Sequence, residues 1–459
     1  MKIVIIGDGK VGHRLTTQLS EEDCDLTLID RNDIKLNDAL NKFDIICITG
    51  DGADAEIQKQ AKVGEADLVI ACASTDELNM LSCLIAKKLG AKGTIARVRN
   101  PVYFRQINLL KDDLHLNMVV NPELTAAQEI EKVIMIPETT KVETFMKGRV
   151  DLVEFPLKED CKITGLTLSK IYETLKTKIL VCAVVRNDEV FIPDGNFVLK
   201  GGDKLHITAP RKDLEKFFTA IGQREQKIKN VLICGGGHVT FYLTRALIGS
   251  GRKVKIIERD KDRSVLLAEA FPEAVVIRGD GTDHDLLIEE GIKDADALVA
   301  LTSLDEENII LSLFAKSLNV PKIIAKVNEE SRSKMVQNLG IDSAISAKYA
   351  TADLIISYVR ARQNSLTSAN VETLYQLVGG QIEAMEFIIQ EESEYTGVKL
   401  KDLKIKPNHL VACIGRKHHI IIPDGNDHIE PGDSVIVVTK GNGMNDFSDL
   451  FVHKSILSA

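Results

Sequence analysis

Three glycines, Gly7-x-Gly9-x-x-Gly12, follow the apolar run "KIVII" (2–6), and Asp30 closes the next apolar run, "DLTLID". This order has a specific chemical use. Gly7 permits a tight strand-to-helix turn, Gly9 lets a pyrophosphate approach the backbone, and Gly12 lets the helix lie close on the strand. Exposed N–H groups at the helix start then face the anion. Asp30, at the end of the second strand, can accept both hydroxyls of a ribose. A carboxylate there favours NAD over NADP, because a 2′-phosphate would meet like charge. Arg31 next to it pulls the other way, and ATP or ADP fits the same ribose contact.

The same pieces return near residue 230 in altered form. "KNVLICGGGHVTFYL" supplies Gly235, Gly236 and Gly237, with Thr240 where the third glycine belongs. A β-branched side chain at that place is expected to push the helix off the strand. His238 occupies the turn, and Glu258 keeps the ribose carboxylate, so a nucleotide is expected here too, either a different one or the same one held more weakly. At the ends of the fourth strands, "ASTDELN" and "TSLDEEN" offer Ala73, Ser74, Thr302 and Ser303 as near contacts. Asp76 and Asp305 read as N-caps of the next helices. Arg97 in "IARVRNP" and Lys326 in "IAKVNEE" end the fifth strands, where one cation in each could meet a phosphate.

Hydride transfer would also need a general acid or base beside the nicotinamide. The few histidines outside these loops do not recur between the two copies, and no Ser or Cys has the setting of a nucleophile. A sensor is the expectation. A nicotinamide-dependent oxidoreductase and a scaffold with vestigial folds are the alternatives, separated by turnover and by loss of nucleotide binding.

These residues need strands and helices to hold them, and the chain supplies the set twice. Gly7 and Gly235 lie 228 residues apart, as do Asp30 and Glu258; "GDGADAEI" (50–57) returns as "GDGTDHDL" one residue later in register. The later parts match as well: "VVRNDEVFIPDGNFVLKGGDKLHI" (184–207) pairs with "CIGRKHHIIIPDGNDHIEPGDSVIV" (413–437), sharing Arg186/Arg416, "IPDG" and a Gly-Asp pair. Short apolar strands alternating with helical patterns predict a parallel, doubly wound sheet. The fold expected is α/β: two tandem Rossmann-like sheets, each followed by a small α+β domain. The boundaries are 1–138 and 139–225 for the first copy, 228–368 and 371–459 for the second.

With 459 residues, 44% hydrophobic and 27% charged, the chain has the composition of a multidomain globular protein. No apolar run approaches the ~18 residues of a membrane span, and no secretory signal precedes the first strand, so a cytosolic protein is expected. Eight scattered cysteines show no metal spacing and read as buried free thiols. A net charge of −9 with dispersed Lys and Arg argues against nucleic acid as a partner.

The ordered series of glycine loop, Asp30, "GDG", "STDELNM", "ARVRNP" and the "IPDG…GGD" module, duplicated, resembles the regulatory subunits of Trk potassium-uptake systems, built from tandem RCK (KTN) units. The resemblance spans essentially the whole chain. It implies a peripheral protein on the cytoplasmic face of the membrane that binds NAD(H) and adenine nucleotides and gates a separate potassium-translocating membrane subunit. It implies pairing through crossover helices and a homo-oligomer, a tetramer. By motif, the first nucleotide site maps onto Gly7, Asp8, Gly9, Lys10, Val11 and Gly12, with Asp30, Ala73, Ser74 and Arg97. The second maps onto Gly235, Gly236, Gly237, His238 and Val239, with Glu258, Thr302, Ser303 and Lys326.

Overall fold

The computed structural model of the chain describes residues 1–452 apart from 23, 136–140, 147–148, 176, 223–227, 330–331, 333–334, 337–338, 368–370, 418, 442–443 and 445. The domain boundaries expected at 138, 225 and 368 fall on segments outside the described residues.

The first copy opens with β1 (Lys2–Ile6), α1 (Lys10–Leu19), β2 (Asp25–Asp30), α2 (Asp33–Leu40), β3 (Ile46–Thr49), α3 (Ala55–Gln60), β4 (Leu68–Ala71), α4 (Asp76–Leu89), β5 (Thr94–Arg97), α5 (Pro101–Leu110), β6 (Met118–Val120) and α6 (Pro122–Met135). The strands form a six-stranded sheet in the order β3-β2-β1-β4-β5-β6, with every pair parallel. This order reverses direction between β1 and β4, which opens a crevice at the strands' carboxyl ends. Strands covered on both faces read as continuous apolar runs, and β1 and β4 are buried almost throughout. Helix α1 buries Val11, Leu15 and Leu19 at a spacing of four, one stripe against the sheet. Thr75 caps α4, and Gly90 ends it in the left-handed conformation at φ 117°.

A small domain follows: β7 (Lys141–Phe145), β8 (Val150–Pro156), α7 (Leu168–Leu175), β9 (Leu180–Arg186), β10 (Glu189–Phe191), β11 (Lys204–Ala209) and α8 (Arg211–Ala220). Its antiparallel sheet runs β10-β9-β11-β8-β7. The second copy repeats both parts. Its large part holds β12 (Asn230–Cys234), α9 (His238–Gly249), β13 (Lys253–Glu258), α10 (Lys261–Ala270), β14 (Val275–Arg278), α11 (His284–Glu289), β15 (Ala297–Ala300), α12 (Asp305–Ser317), β16 (Lys322–Lys326), β17 (Ser343–Ile345) and α13 (Ala347–Thr367). Its small part holds β18 (Val371–Leu377), β19 (Ile382–Ile388), β20 (His409–Arg416), β21 (His419–Ile421) and β22 (Ser434–Lys440). The sheet orders, β14-β13-β12-β15-β16-β17 and β18-β19-β22-β20-β21, reproduce those of the first copy.

Like domains pair with like. One compact unit joins Met1–Glu131 with Lys229–Ile356, the other joins Lys132–Ile228 with Ser357–Ala459. In the first unit the two α/β parts meet through the helices that follow their glycine loops. Asn121, just before α6, donates from Nδ2 to the Tyr242 hydroxyl of α9 at 3.1 Å. In the reciprocal place, Arg14 of α1 stacks over the Tyr349 ring of α13 at 4.8 Å. In the second unit the two small sheets share one apolar layer, with Phe145, Leu152, Ala183 and Cys182 against Ala384, Cys413, Ile436 and Val438. The motif residues that recur between the small domains brace them. Arg186 makes two bonds to buried Asp203 at 2.7 and 2.8 Å, and Arg416 makes two to Asp433 at 2.9 and 2.8 Å. This two-pronged geometry fixes a loop to a strand and accounts for the shared Arg and Gly-Asp marks.

Candidate nucleotide-binding sites

The loop after β1 leaves the sheet at Gly7, whose φ of 99° and closeness to Ala73 both demand glycine: a Cβ there would lie 2.7 Å from the Ala73 backbone. At Gly12 a Cβ would fall 1.9 Å from the Gly7 carbonyl oxygen, so α1 can lie this close only without a side chain. Gly9 is the open position, with its nearest neighbour, the Cys72 carbonyl, 3.9 Å from a Cβ. It begins α1 without a side-chain cap, which leaves the first-turn N–H groups to an incoming acceptor. Lys10 is exposed at that helix start, whereas Val11 is buried and can offer a ligand only its backbone.

Asp30 does more than terminate β2. Its Oδ2 accepts the Asp8 N–H at 2.6 Å and its Oδ1 the Asn32 N–H at 2.8 Å, so this carboxylate braces the glycine loop. Each oxygen retains a second lone pair for a ribose hydroxyl. Asp8 turns its own carboxylate to His13 Nδ1 at 3.2 Å, and burial raises its pKa against the pull of that imidazole. Arg31 is paired with Asp51 at 2.5 Å, in the "GDG" segment. Across the crevice, Arg97 donates to the Ala73 carbonyl at 2.5 Å, and its buried Nε has no partner. Ser74 is exposed beside Ala73. The loop, Asp30, Ala73 and Arg97 are thus linked contact to contact, and an adenine dinucleotide suits this cradle: an open glycine, uncapped N–H groups, a ribose carboxylate and an orphan guanidinium N–H.

The second site keeps the plan and changes the chemistry. Gly235 has φ 105°, and a Cβ would meet the Leu301 carbonyl at 2.6 Å; Gly237 has nothing within 4 Å. Thr240, at the place of the third glycine, bonds the loop. It is fully buried on α9 and donates its hydroxyl to the Gly235 carbonyl. Glu258 repeats the brace, accepting the Gly236 N–H through Oε2 and the Asp260 N–H through Oε1 at 2.6 Å. Its longer side chain folds back over the loop and is only 7% exposed, and Gly236 leaves it the room. His238 is exposed at the helix start and Val239 is buried. Thr302 lies beside the Gly235 turn, Ser303 is exposed, and Lys326 is mostly buried. Burial lowers the Lys326 pKa, Asp305 opposes that shift, and Lys10 from the first copy adds to it.

Two pairs of residues carry structural work that their motifs do not announce. Buried Asn79 accepts the Ala73 N–H at 2.7 Å and donates to the Arg97 carbonyl at 2.9 Å. Asn308 does the same with Thr302 at 2.8 Å and Lys326 at 2.9 Å. Each asparagine clamps the ends of the fourth and fifth strands at the crevice. Asp76 and Asp305 are not the N-caps, which are Thr75 and Leu304. Asp76 instead accepts the Arg99 and Asn100 N–H groups at 3.0 and 2.7 Å, and Asp305 those of Asn328 and Glu329 at 2.8 and 3.2 Å. Buried carboxylates at a helix start can hold a neighbouring loop as well as their own first turn, and here they hold the loop after the fifth strand. Arg99 in turn pairs with Glu123 at the start of α6, its Nε at 2.7 Å.

Architecture and crevices together define a class: a tandem protein with two nucleotide-type α/β domains and two small β-rich domains. The TrkA-N domain model matches residues 3–122 and 231–347, and the TrkA-C domain model matches 152–222 and 384–452. A "Trk system potassium uptake protein TrkA homolog 1" of Methanosarcina mazei is 30% identical over 459 residues, covering 98% of this chain and all of the relative. A TrkA homolog of Archaeoglobus fulgidus is 30% identical over 451 residues, again covering 98% of this chain. Among solved structures, the GsuK RCK domain superposes with a TM-score of 0.62 at 18% identity, covering 96% of this chain and 92% of that one. The GsuK channel bound to NAD gives 0.63, also at 18% identity, over 96% of this chain and 76% of that one. At such identity these two structures speak for the fold. The chain belongs to the Trk system potassium uptake protein TrkA family, and its relatives there bear the name of a transport system and not of an enzyme.

Proposed function

We propose that this chain is the nucleotide-sensing regulatory subunit of a potassium uptake system. It binds NAD(H), ATP or ADP and controls a separate membrane subunit that carries the ion. The observation that carries the reading is the first crevice, where uncapped helix N–H groups and the Asp30 carboxylate stand about an open glycine and Arg97 reaches the Ala73 carbonyl. The name borne by the relatives supplies the transport system. Among the described residues no helix is long and apolar enough to cross a membrane, so translocation is assigned to another chain. We place the protein on the cytoplasmic face, as a homo-oligomer, a tetramer, docked on that chain. The site residues are those named above in each crevice, and the domains follow the boundaries set out from the sequence. A nucleotide moves the gate only through its different affinity for two states, and couplings of about 1–3 kcal/mol change activity several-fold.

The test is potassium flux through the reconstituted membrane subunit, with and without this chain, across ATP, ADP, NAD and NADH. Flux should depend on nucleotide with the wild-type chain, and that dependence should vanish with Asp30→Ala combined with Glu258→Ala. Flux indifferent to all four nucleotides, together with failure of the two proteins to copurify, would overturn the reading.

A further inference from the structure

In the first small domain β11 is the middle strand of the sheet. Leu205 and Ile207 point into that domain's own core, so His206 between them faces the other way. There it stands opposite Glu154 of β8 and Ala183 of β9. This is the face that joins the second small domain, for Ala183 and Leu152 belong to the apolar layer shared with Ala384, Cys413 and Ile436. His206 is 3% exposed, and its Nε2 is buried with no hydrogen-bond partner. The matching residue of β22 is Ile436, so the layer is filled by a plain hydrocarbon in one copy and by a titratable ring in the other.

The charges around the ring come from several elements. Burial holds the imidazole below its ordinary pKa; Glu154 on β8 pulls the other way, and Lys141 on β7 and Lys204 on β11 add to the effect of burial. Glu143 on β7 is already paired with Lys141 at 2.9 Å. The second small domain brings Glu386 to this layer, and its carboxylate is taken by the Met146 N–H at 3.2 Å and the Ser434 hydroxyl at 2.6 Å. Glu154, directly across on β8, is the carboxylate a charged imidazole would face, and its pull does not offset the cost of burying that charge.

We propose that His206 is a proton-binding site in the joint between the two small domains, and that taking up the proton loosens that joint. An unfolded chain takes up the proton near pH 6.5, whereas the folded joint holds it off until the medium is more acid. The contribution of a neutral His206 is therefore complete above about pH 6.5 and is lost as pH falls through that value toward the folded one. The chain would in this way respond to acidification in its small domains, independently of any nucleotide in its large ones.

Thermal unfolding midpoints of the full chain, measured from pH 8 to pH 5 for wild type and His206→Ile, test the proposal. The wild-type midpoint should fall faster, and the gap between the two should widen by about 3 °C or more below pH 6.5. Parallel curves would overturn the inference. His206→Gln, polar but without a titration, serves if the isoleucine variant does not fold, with the same expectation. Histidine hydrogen–deuterium exchange read by mass spectrometry on the wild type gives the midpoint directly: a value below 6.5 is expected, and one at or above 6.5 would refute the site.

Discussion

The Gly7 loop and the Gly235 loop stand at the same place in two copies of one fold, and they hold their helices by different means. In the first, the absence of a side chain at Gly12 lets α1 lie against the Gly7 carbonyl. In the second, Thr240 occupies that space and bonds the corresponding carbonyl. The acidic residues diverge in a related way. Asp30 braces its loop from a partly open position, while Glu258 is longer, more deeply buried and folded over Gly236. The difference teaches that a departure from the glycine pattern need not dismantle a loop; it can re-bond the loop and change what remains free for a ligand. Both carboxylates accept two loop N–H groups, but the first lies nearer the surface and the second is shut in.

The largest effect expected from breaking this comparison is at Gly12. Gly12→Thr transplants the second copy's residue onto a helix packed for none, so nucleotide binding at the first site should be lost and stability should drop by about 1–3 kcal/mol. Calorimetric titration and chemical denaturation read both quantities, and a variant that binds and folds like wild type would show that the two loops are interchangeable. Asn79→Ala and Asn308→Ala should each cost about 1–3 kcal/mol, because each strands buried backbone groups at the crevice. Their costs should agree within about 0.5 kcal/mol in denaturation; a wide disparity would break the equivalence of the clamps.

Asp30→Ala should weaken nucleotide binding about tenfold, as expected for losing a charge-assisted hydrogen bond. Glu258→Ala should change affinity less and stability more, since that carboxylate is the more deeply buried. Titrations with equal losses at both positions would contradict the assignment of unequal roles. The smallest effect belongs to the seam between the copies. Tyr242→Phe removes one hydrogen bond to Asn121 and should cost about 0.5–1.5 kcal/mol of unfolding free energy. No measurable change would mean that the contact contributes shape alone.

Much of this was open to reading before the structure. The repeat, the parallel sheet, the glycine turns and the two acidic strand ends are local patterns, written in spacing and in runs of apolar residues. What could not be read depends on partners distant in sequence. Asp76 looked like a cap because a carboxylate at a helix start usually is one, while its actual partners, Arg99 and Asn100, lie 23 and 24 residues on. Asn79 and Asn308 sat inside the quoted motifs without a role, because a clamp between two strand ends leaves no periodicity. A repeated polar residue on an otherwise apolar helix face was the available signal. Thr240 brings a hydroxyl as well as bulk, and the hydroxyl's partner, the Gly235 carbonyl, is visible only in the fold.

The pairing of like domains within one chain has a further consequence, for how such a protein can change over time. In a symmetric dimer of single copies, every substitution appears on both sides of the axis and must be tolerated twice. A covalent duplicate carries each change once. Gly12 could persist while its counterpart became Thr240, and a histidine could enter one small domain while Ile436 kept the layer sealed from the other. Fusion releases the two halves from being identical, and the positions where they no longer match are where their chemistry can differ.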